Sequence, residues 1–279
     1  LKIAFWSNAS EKCNVSANLA AVSIAGVLRY PYSVILIENR LSNNNLGKAF
    51  NGASHINLCN EVGTNYYDGS GMEGLLRKIY RGNNTSSTLQ SHLKEIINQH
   101  LYYIPQSKTI HNEIFDYEFD RCFMSLLRML EENADICMID TASHNNLSTK
   151  TILEEADLIV VNLCQQKYIL DDFFSNYSSI IPKAVFIISD YDYHFNLNTK
   201  RISCRYQIPL ESIIAIPGNL AYQDAYLYGS VVEFIYRYYS CLKDNPNFAF
   251  IYSIKKAAYT IIKRAEFNVK QKELSMCCK

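Results

Sequence analysis

Seven short apolar runs recur along the chain: Ile3–Trp6, Ser33–Ile37, Leu101–Ile104, Asp135–Ile139, Leu158–Leu163, Ala184–Ile188 and Ile213–Ile216. Most are β-branched and continuous, not alternating, which is the pattern of parallel strands covered on both faces. Between them lie segments in helical rhythm: Asn14–Leu28, Gly71–Tyr80, Leu89–His100, Asp116–Asn133, Ser148–Glu155 and Asp171–Tyr177. Strands alternating with helices predict a doubly wound α/β fold, a mostly parallel sheet of about seven or eight strands with helices on both faces. Right-handed crossovers would gather the strand C-termini along one edge, where ligands bind in such sheets. The polar stretch Arg81–Ser87 reads as a loop and requires no domain break. The chain therefore reads as a single domain over residues 1–279, with no internal repeat.

Composition excludes several classes. No apolar run approaches the roughly 20 residues that span a bilayer, and the chain opens directly in a strand, not in a signal peptide. Nine cysteines without a CxxC read as reduced thiols of a cytoplasmic protein. The six histidines show no metal-ligand spacing. Net charge is zero but uneven. From Lys255 to Lys279 seven basic residues face only Glu266 and Glu273, so the tail carries +5 and the body −5. A neutral chain with an acidic body is not a general nucleic-acid binder.

The first strand leads into Ser7, Asn8, Ala9, Ser10, Glu11, Lys12 and Cys13, and Asn14 then opens a helix. Strand, loop, lysine, helix is the layout of a phosphate-binding P-loop, whose backbone N–H groups and helix N-terminus hold anions. Of the usual G-x-x-x-x-G-K-[ST] pattern only the lysine is retained.

The order of motifs resembles the ParA/MinD branch of P-loop ATPases over about residues 1–240. Ser16-Ala-Asn-Leu-Ala20 matches the T-T-x-A-N-L-A helix start and fixes the register. Lys12 then falls on the phosphate lysine, Cys13 on the Mg²⁺-holding Ser/Thr, and Ser7 on the lysine that reaches a partner subunit's nucleotide. The family's glycines fall on Asn8, Ala9 and Glu11. Val34 to Arg40 resembles the second strand with its D-x-D end, which places Glu38 and Arg40 on the carboxylates. Asn45-Leu46-Gly47 resembles its continuation. Asp135 to Ala142 resembles D-x-V-I-I-D-T-P and puts Asp140 at the magnesium water. Ala156 to Val161 and Ala215-Ile-Pro217 resemble later segments. Ser189-Asp190 falls where the family reads adenine with an amide, and neither residue is one.

The resemblance implies ATP or ADP as ligand, contacted by Asn8 to Asn14, Glu38, Arg40 and Asp140. It leaves the need for Mg²⁺ open. Cys13 is a poor ligand for a hard cation, Arg40 replaces the carboxylate that positions water, and Ser7 cannot supply a cation in trans. Glu11 adds negative charge where phosphates would sit. Weak binding and ATP turnover at or near background are expected. The chain is similar to the TadZ/CpaE pilus-localising relatives, implying a homodimer that acts as a positioning or assembly factor. A slow plasmid- or chromosome-partition ATPase and a nucleotide-free scaffold are the alternatives. Phe248–Ala265 carries apolar residues at 250, 251, 254, 257, 258, 261, 262 and 265, a helical stripe with basic residues beside it. It either packs on the domain or meets a membrane or partner, which would make localisation polar or membrane-peripheral.

Overall fold

A computed structural model describes residues 1–39, 46–50, 71–106, 112–143 and 147–277. Eight strands form one sheet: β1 (Lys2–Trp6), β2 (Val34–Glu38), β3 (Lys94–Ile97), β4 (Leu101–Tyr103), β5 (Ile136–Asp140), β6 (Leu158–Cys164), β7 (Ala184–Tyr191) and β8 (Ile213–Pro217). Their order is β3-β4-β2-β5-β1-β6-β7-β8, and every pairing is parallel except β3 with β4. The doubly wound architecture expected from the apolar runs is therefore observed. From β1 the chain crosses to β2 on one side, and from β5 it passes back over β1 to β6. That reversal places a topological switch point beside β1, where such sheets open a crevice at the strand C-termini.

Strand alternation divides the core. Ile3, Phe5, Leu36 and Met138 point to one face with helix α1 (Val15–Val27), while Ala4, Trp6, Ile37 and Ile139 point to the other. The second face carries α2 (Met72–Tyr80), the short α3 (Ser86–Gln90), α4 (Asn112–Asn133), α5 (Leu147–Glu155), α6 (Lys167–Asn176) and α7 (Thr199–Tyr206). The first face adds α8 (Leu220–Leu227), α9 (Val231–Tyr238) and α10 (Phe248–Cys277). Every residue of α1 except Ala17 is buried. A helix apolar all round is one that must sit between other layers, and α10 supplies the outer layer.

The stripe on α10 lies inside. Phe250, Ile251, Ile254, Ala257, Ala258, Ile261, Ile262 and Ala265 are all buried in the α1 core. Those residues are consequently not free to enter a membrane, and no described helix is long and apolar enough to cross one.

One segment differs from the sequence expectation. Leu89–His100 reads as a helix because Leu89, Leu93, Ile96 and Ile97 recur at helical spacing. The structure ends α3 at Gln90 and forms the antiparallel β3–β4 hairpin instead. The β-branched Ile96-Ile97 pair favours a strand, and Gln99, with φ of 60°, turns the chain back. Helices α7, α8 and α9 lie outside the expected segments, and α3 meets one only at Leu89 and Gln90. Thr85, Asn198 and Asn219 cap α3, α7 and α8 through side-chain oxygens that accept a backbone N–H.

Candidate nucleotide site

Strands β1, β5 and β2 end side by side, with Phe5 opposite Asp140 and Glu38 opposite Asp140. Period-2 alternation turns both carboxylates toward the α1 face. Ser16, in the first turn of α1, donates its hydroxyl to Asp140 at 2.5 Å, and Asp140 is completely buried. Lys12 ends a short 3₁₀ turn, Ser10–Lys12, between β1 and α1. Lysine, helix N-terminus and two strand-end carboxylates therefore share one edge of the sheet, as the motif order predicts. A cleft of about 980 Å³ opens there, bordered by Ala9, Glu11, Lys12 and Asn14 on one wall and by Asp190, Pro217 and Gln223 on another.

Within that frame the loop is bonded to its surroundings. The Ala9 N–H donates to Ser7 Oγ at 3.0 Å, and the Lys12 N–H to the Ala9 carbonyl at 3.0 Å. Two backbone donors that a phosphate cradle would use are thus committed inside the loop. Asn8 donates to the Ile169 carbonyl at 3.1 Å and to Asp172 at 2.7 Å, which fastens the loop to α6. The Lys12 ammonium donates to the Tyr168 hydroxyl at 2.5 Å, and this bond raises the lysine above its ordinary value. Asn14 takes a left-handed conformation at the helix start and donates to Asp190 at 2.6 Å.

Cys13 is buried on the opposite face of the sheet and does not border the cleft. The neighbouring Cys13 and Cys164 thiols shift in opposite directions: Cys13 holds Cys164 below its ordinary value, while Cys164 and then burial push Cys13 up. A hard cation would find no oxygen ligand at that position. Among the described residues no group of three or more His, Cys, Asp or Glu side chains could hold a metal. Glu38 is completely buried: it accepts from the Tyr103 hydroxyl and, at 3.0 Å, from the Leu46 N–H. Burial, then the Glu38 charge, holds Tyr103 well above the ordinary tyrosine range. Arg40 lies outside the described residues.

Several supporting residues were missed. Asn18 donates to Asn162 at 2.9 Å and to Ser189 at 2.8 Å, and Ser189 donates to the Cys13 carbonyl at 2.7 Å. This buried network clamps the loop from below. An asparagine interrupting the apolar run Leu158–Leu163 was the available signal for Asn162, since a buried amide requires partners. Asn39, buried beside Glu38, joins the Ala142 N–H at 2.6 Å to Ser148 at 3.1 Å. Trp6 packs against Tyr177 and Phe173, with ring centroids at 4.9 and 6.2 Å, and so is strand-end packing. Nothing in local spacing could have paired Lys12 with Tyr168.

The eight-stranded sheet and its loop-to-helix site define the fold of the ParA/MinD P-loop ATPases. Among solved structures, the ParA family ATPase from Chlorobium tepidum TLS superposes with a TM-score of 0.69 at 15% identity, covering 92% of this chain and 98% of that one. The septum site-determining protein MinD of Pyrococcus horikoshii OT3, complexed with Mg-ADP, gives 0.66 at 14% identity over 96% and 98%. A putative plasmid partition protein from Borrelia burgdorferi B31, bound to AMPPNP, gives 0.58 at 14% over 94% and 98%. No family model and no curated protein matches the sequence.

Proposed function

We propose that the chain is a degenerate ParA/MinD-like nucleotide-binding protein that acts by dimerising as a positioning or assembly factor, with little or no ATP hydrolysis. One observation carries the reading: the cleft and its helix N-terminus are retained, while the groups that would perform chemistry are bonded elsewhere. Lys12 holds Tyr168, Glu38 holds Tyr103 and Leu46, and Cys13 faces Cys164. Phosphoryl transfer depends on positioned charge, so a site with those groups withdrawn favours occupancy over turnover. The neighbours complexed with Mg-ADP and with AMPPNP support a nucleotide as the ligand, and a MinD complexed with its MinC partner supports recognition by a second protein.

The pilus-localising role rests on the TadZ/CpaE resemblance alone. Any membrane contact falls to the end of α10 beyond the buried stripe, where Phe267 and Leu274 are exposed beside basic residues. Calorimetry with ATP and ADP, with and without Mg²⁺, tests the site. Weak binding that changes little with the metal is expected; tight, strictly Mg²⁺-dependent binding would overturn the degenerate reading.

A further inference from the structure

Helix α4 carries two stripes. One, with Phe115, Phe119, Phe123, Leu126 and Leu130, is buried in the core of the second face. The other runs through Ile114, Tyr117, Arg121, Met124 and Arg128, and all of these are exposed. Their alternating spacing of three and four residues is that of a seam along which helices pair. Exposed apolar residues gathered on one face mark an interaction surface. Beside the first half of α4, a groove of about 540 Å³ opens against α2. Buried Leu76 and Cys122 lie at its base, where the Cys122 S–H donates to the Leu76 carbonyl at 3.6 Å. Exposed Tyr80, Ile114 and Tyr117 stand around them. Arg77, Arg81 and Arg121 border the groove against a single carboxylate, Glu118. Arg121 is held in place: its guanidinium lies over the Tyr80 ring at 4.7 Å and donates to the Tyr117 hydroxyl at 3.3 Å. Glu118 Oε2 is enclosed and meets no donor among the described residues.

Each of these features constrains an occupant. The apolar base and aromatic walls take an aromatic side chain. The enclosed acceptor needs a donor, because a buried polar atom left unpaired is costly. Trp and Tyr combine a large aromatic body with an N–H or O–H. Lysine would bring a donor too, but among three arginines its charge is repelled. The basic rim is complemented by carboxylates. We infer that the α2–α4 groove docks a helix of a partner protein, which inserts a Trp or Tyr toward Glu118 and lays carboxylates against Arg81 and Arg121. The inference rests on the second-protein part of the proposed function and specifies that partner's chemistry. An anionic lipid surface would also suit the arginines, but a flat interface leaves the groove and its enclosed acceptor unfilled.

The test selects binders to the full chain from a displayed library of random peptides. Enriched peptides are then synthesised and titrated by fluorescence anisotropy against the natural chain, Arg81→Glu combined with Arg121→Glu, and Glu118→Leu. The enriched sequences should carry a Trp or Tyr with Asp or Glu at helical spacing. The arginine variant should bind them at least about tenfold more weakly. It changes only exposed side chains and should keep the natural melting temperature. Glu118→Leu removes an unpaired acceptor and should melt no lower than the natural chain. Replacing the peptide's Trp or Tyr by Phe should weaken binding to the natural chain but not to Glu118→Leu, since the two changes remove one shared bond. No enrichment, enriched peptides without carboxylates, or binding unaffected by the variants would overturn the inference. So would association with phosphatidylserine-containing vesicles that the arginine variant abolishes, which would assign this face to a membrane. None of these outcomes bears on nucleotide binding, which calorimetry measures separately.

Discussion

Helix α1 and the loop that precedes it were expected to form one device, yet they are built on different terms. The helix is enclosed by the sheet and α10, and its Asn18 anchors a buried polar network. The loop has exposed Glu11 and Lys12, and its polar groups are joined to Ser7, Asp172 and Tyr168. The helix is constrained from every side by packing, and a change there is felt at once. Between the buried ends of the loop, Ser7 and Cys13, the exposed Glu11 and Lys12 are held only by a few hydrogen bonds, so the chemistry there can be exchanged without loss of the fold. This difference accounts for an architecture that persists with Glu11 at an exposed loop position where the resemblance expects glycine.

A stability series sharpens the contrast. Ile254→Ala opens a cavity between α10 and α1, where Ile254 is fully buried, and should lower unfolding free energy by about 2–5 kcal/mol in denaturant melts. Asn18→Ala leaves Asn162 and Ser189 without their shared donor and should lower it by about 1–3 kcal/mol. Lys12→Ala should leave the melting temperature unchanged, because the Tyr168 contact lies on the surface. A loop variant as damaging as Ile254→Ala would erase the distinction.

Alkaline pH probes the enclosed side more gently. Burial raises Tyr103 and Tyr222 well above the ordinary value of 10.0, and burial with the Asp171 bond raises Tyr206 to about 12. An acid whose folded pKa is raised stabilises the fold fully below its unfolded pKa and loses that contribution as pH rises. Stability should therefore hold to about pH 10 and decline from there toward 12. Tyrosinate absorbance should show a late fraction that appears together with unfolding. Titration of all tyrosines as one exposed class, with the fold intact, would contradict this.

The same contrast governs what the sequence could tell. The continuous β-branched runs disclosed seven of the eight strands, because burial on both faces leaves no alternation to confuse with a helix. The stripe at 250 to 265 was legible for the same reason, although its spacing alone could not choose between a protein core and a membrane. The hairpin strand β3 was illegible: a half-exposed edge of four residues carries the same apolar spacing as a helical turn. At the site, the order of the motifs around Ser16 to Ala20, Val34 to Arg40 and Asp135 to Ala142 brought Lys12, Glu38 and Asp140 to one edge, as the strand pairings show. Their partners were hidden, since Tyr103 is 65 residues from Glu38 and Tyr168 is 156 from Lys12. Such pairings arise from the crossovers, not from local pattern.

The central claim is that the site holds a nucleotide without turning it over, and phosphate release tests it most directly. The natural chain, Ser7→Lys, Glu11→Gly, Cys13→Thr and Arg40→Asp singly, and all four together should be compared with Lys12→Ala. Residues that act as a unit in phosphoryl transfer are not additive. The natural chain and each single variant should therefore release phosphate from ATP at background, with any gain confined to the combined variant. Turnover by the natural chain that Lys12→Ala abolishes would contradict the account and favour a working partition-type ATPase.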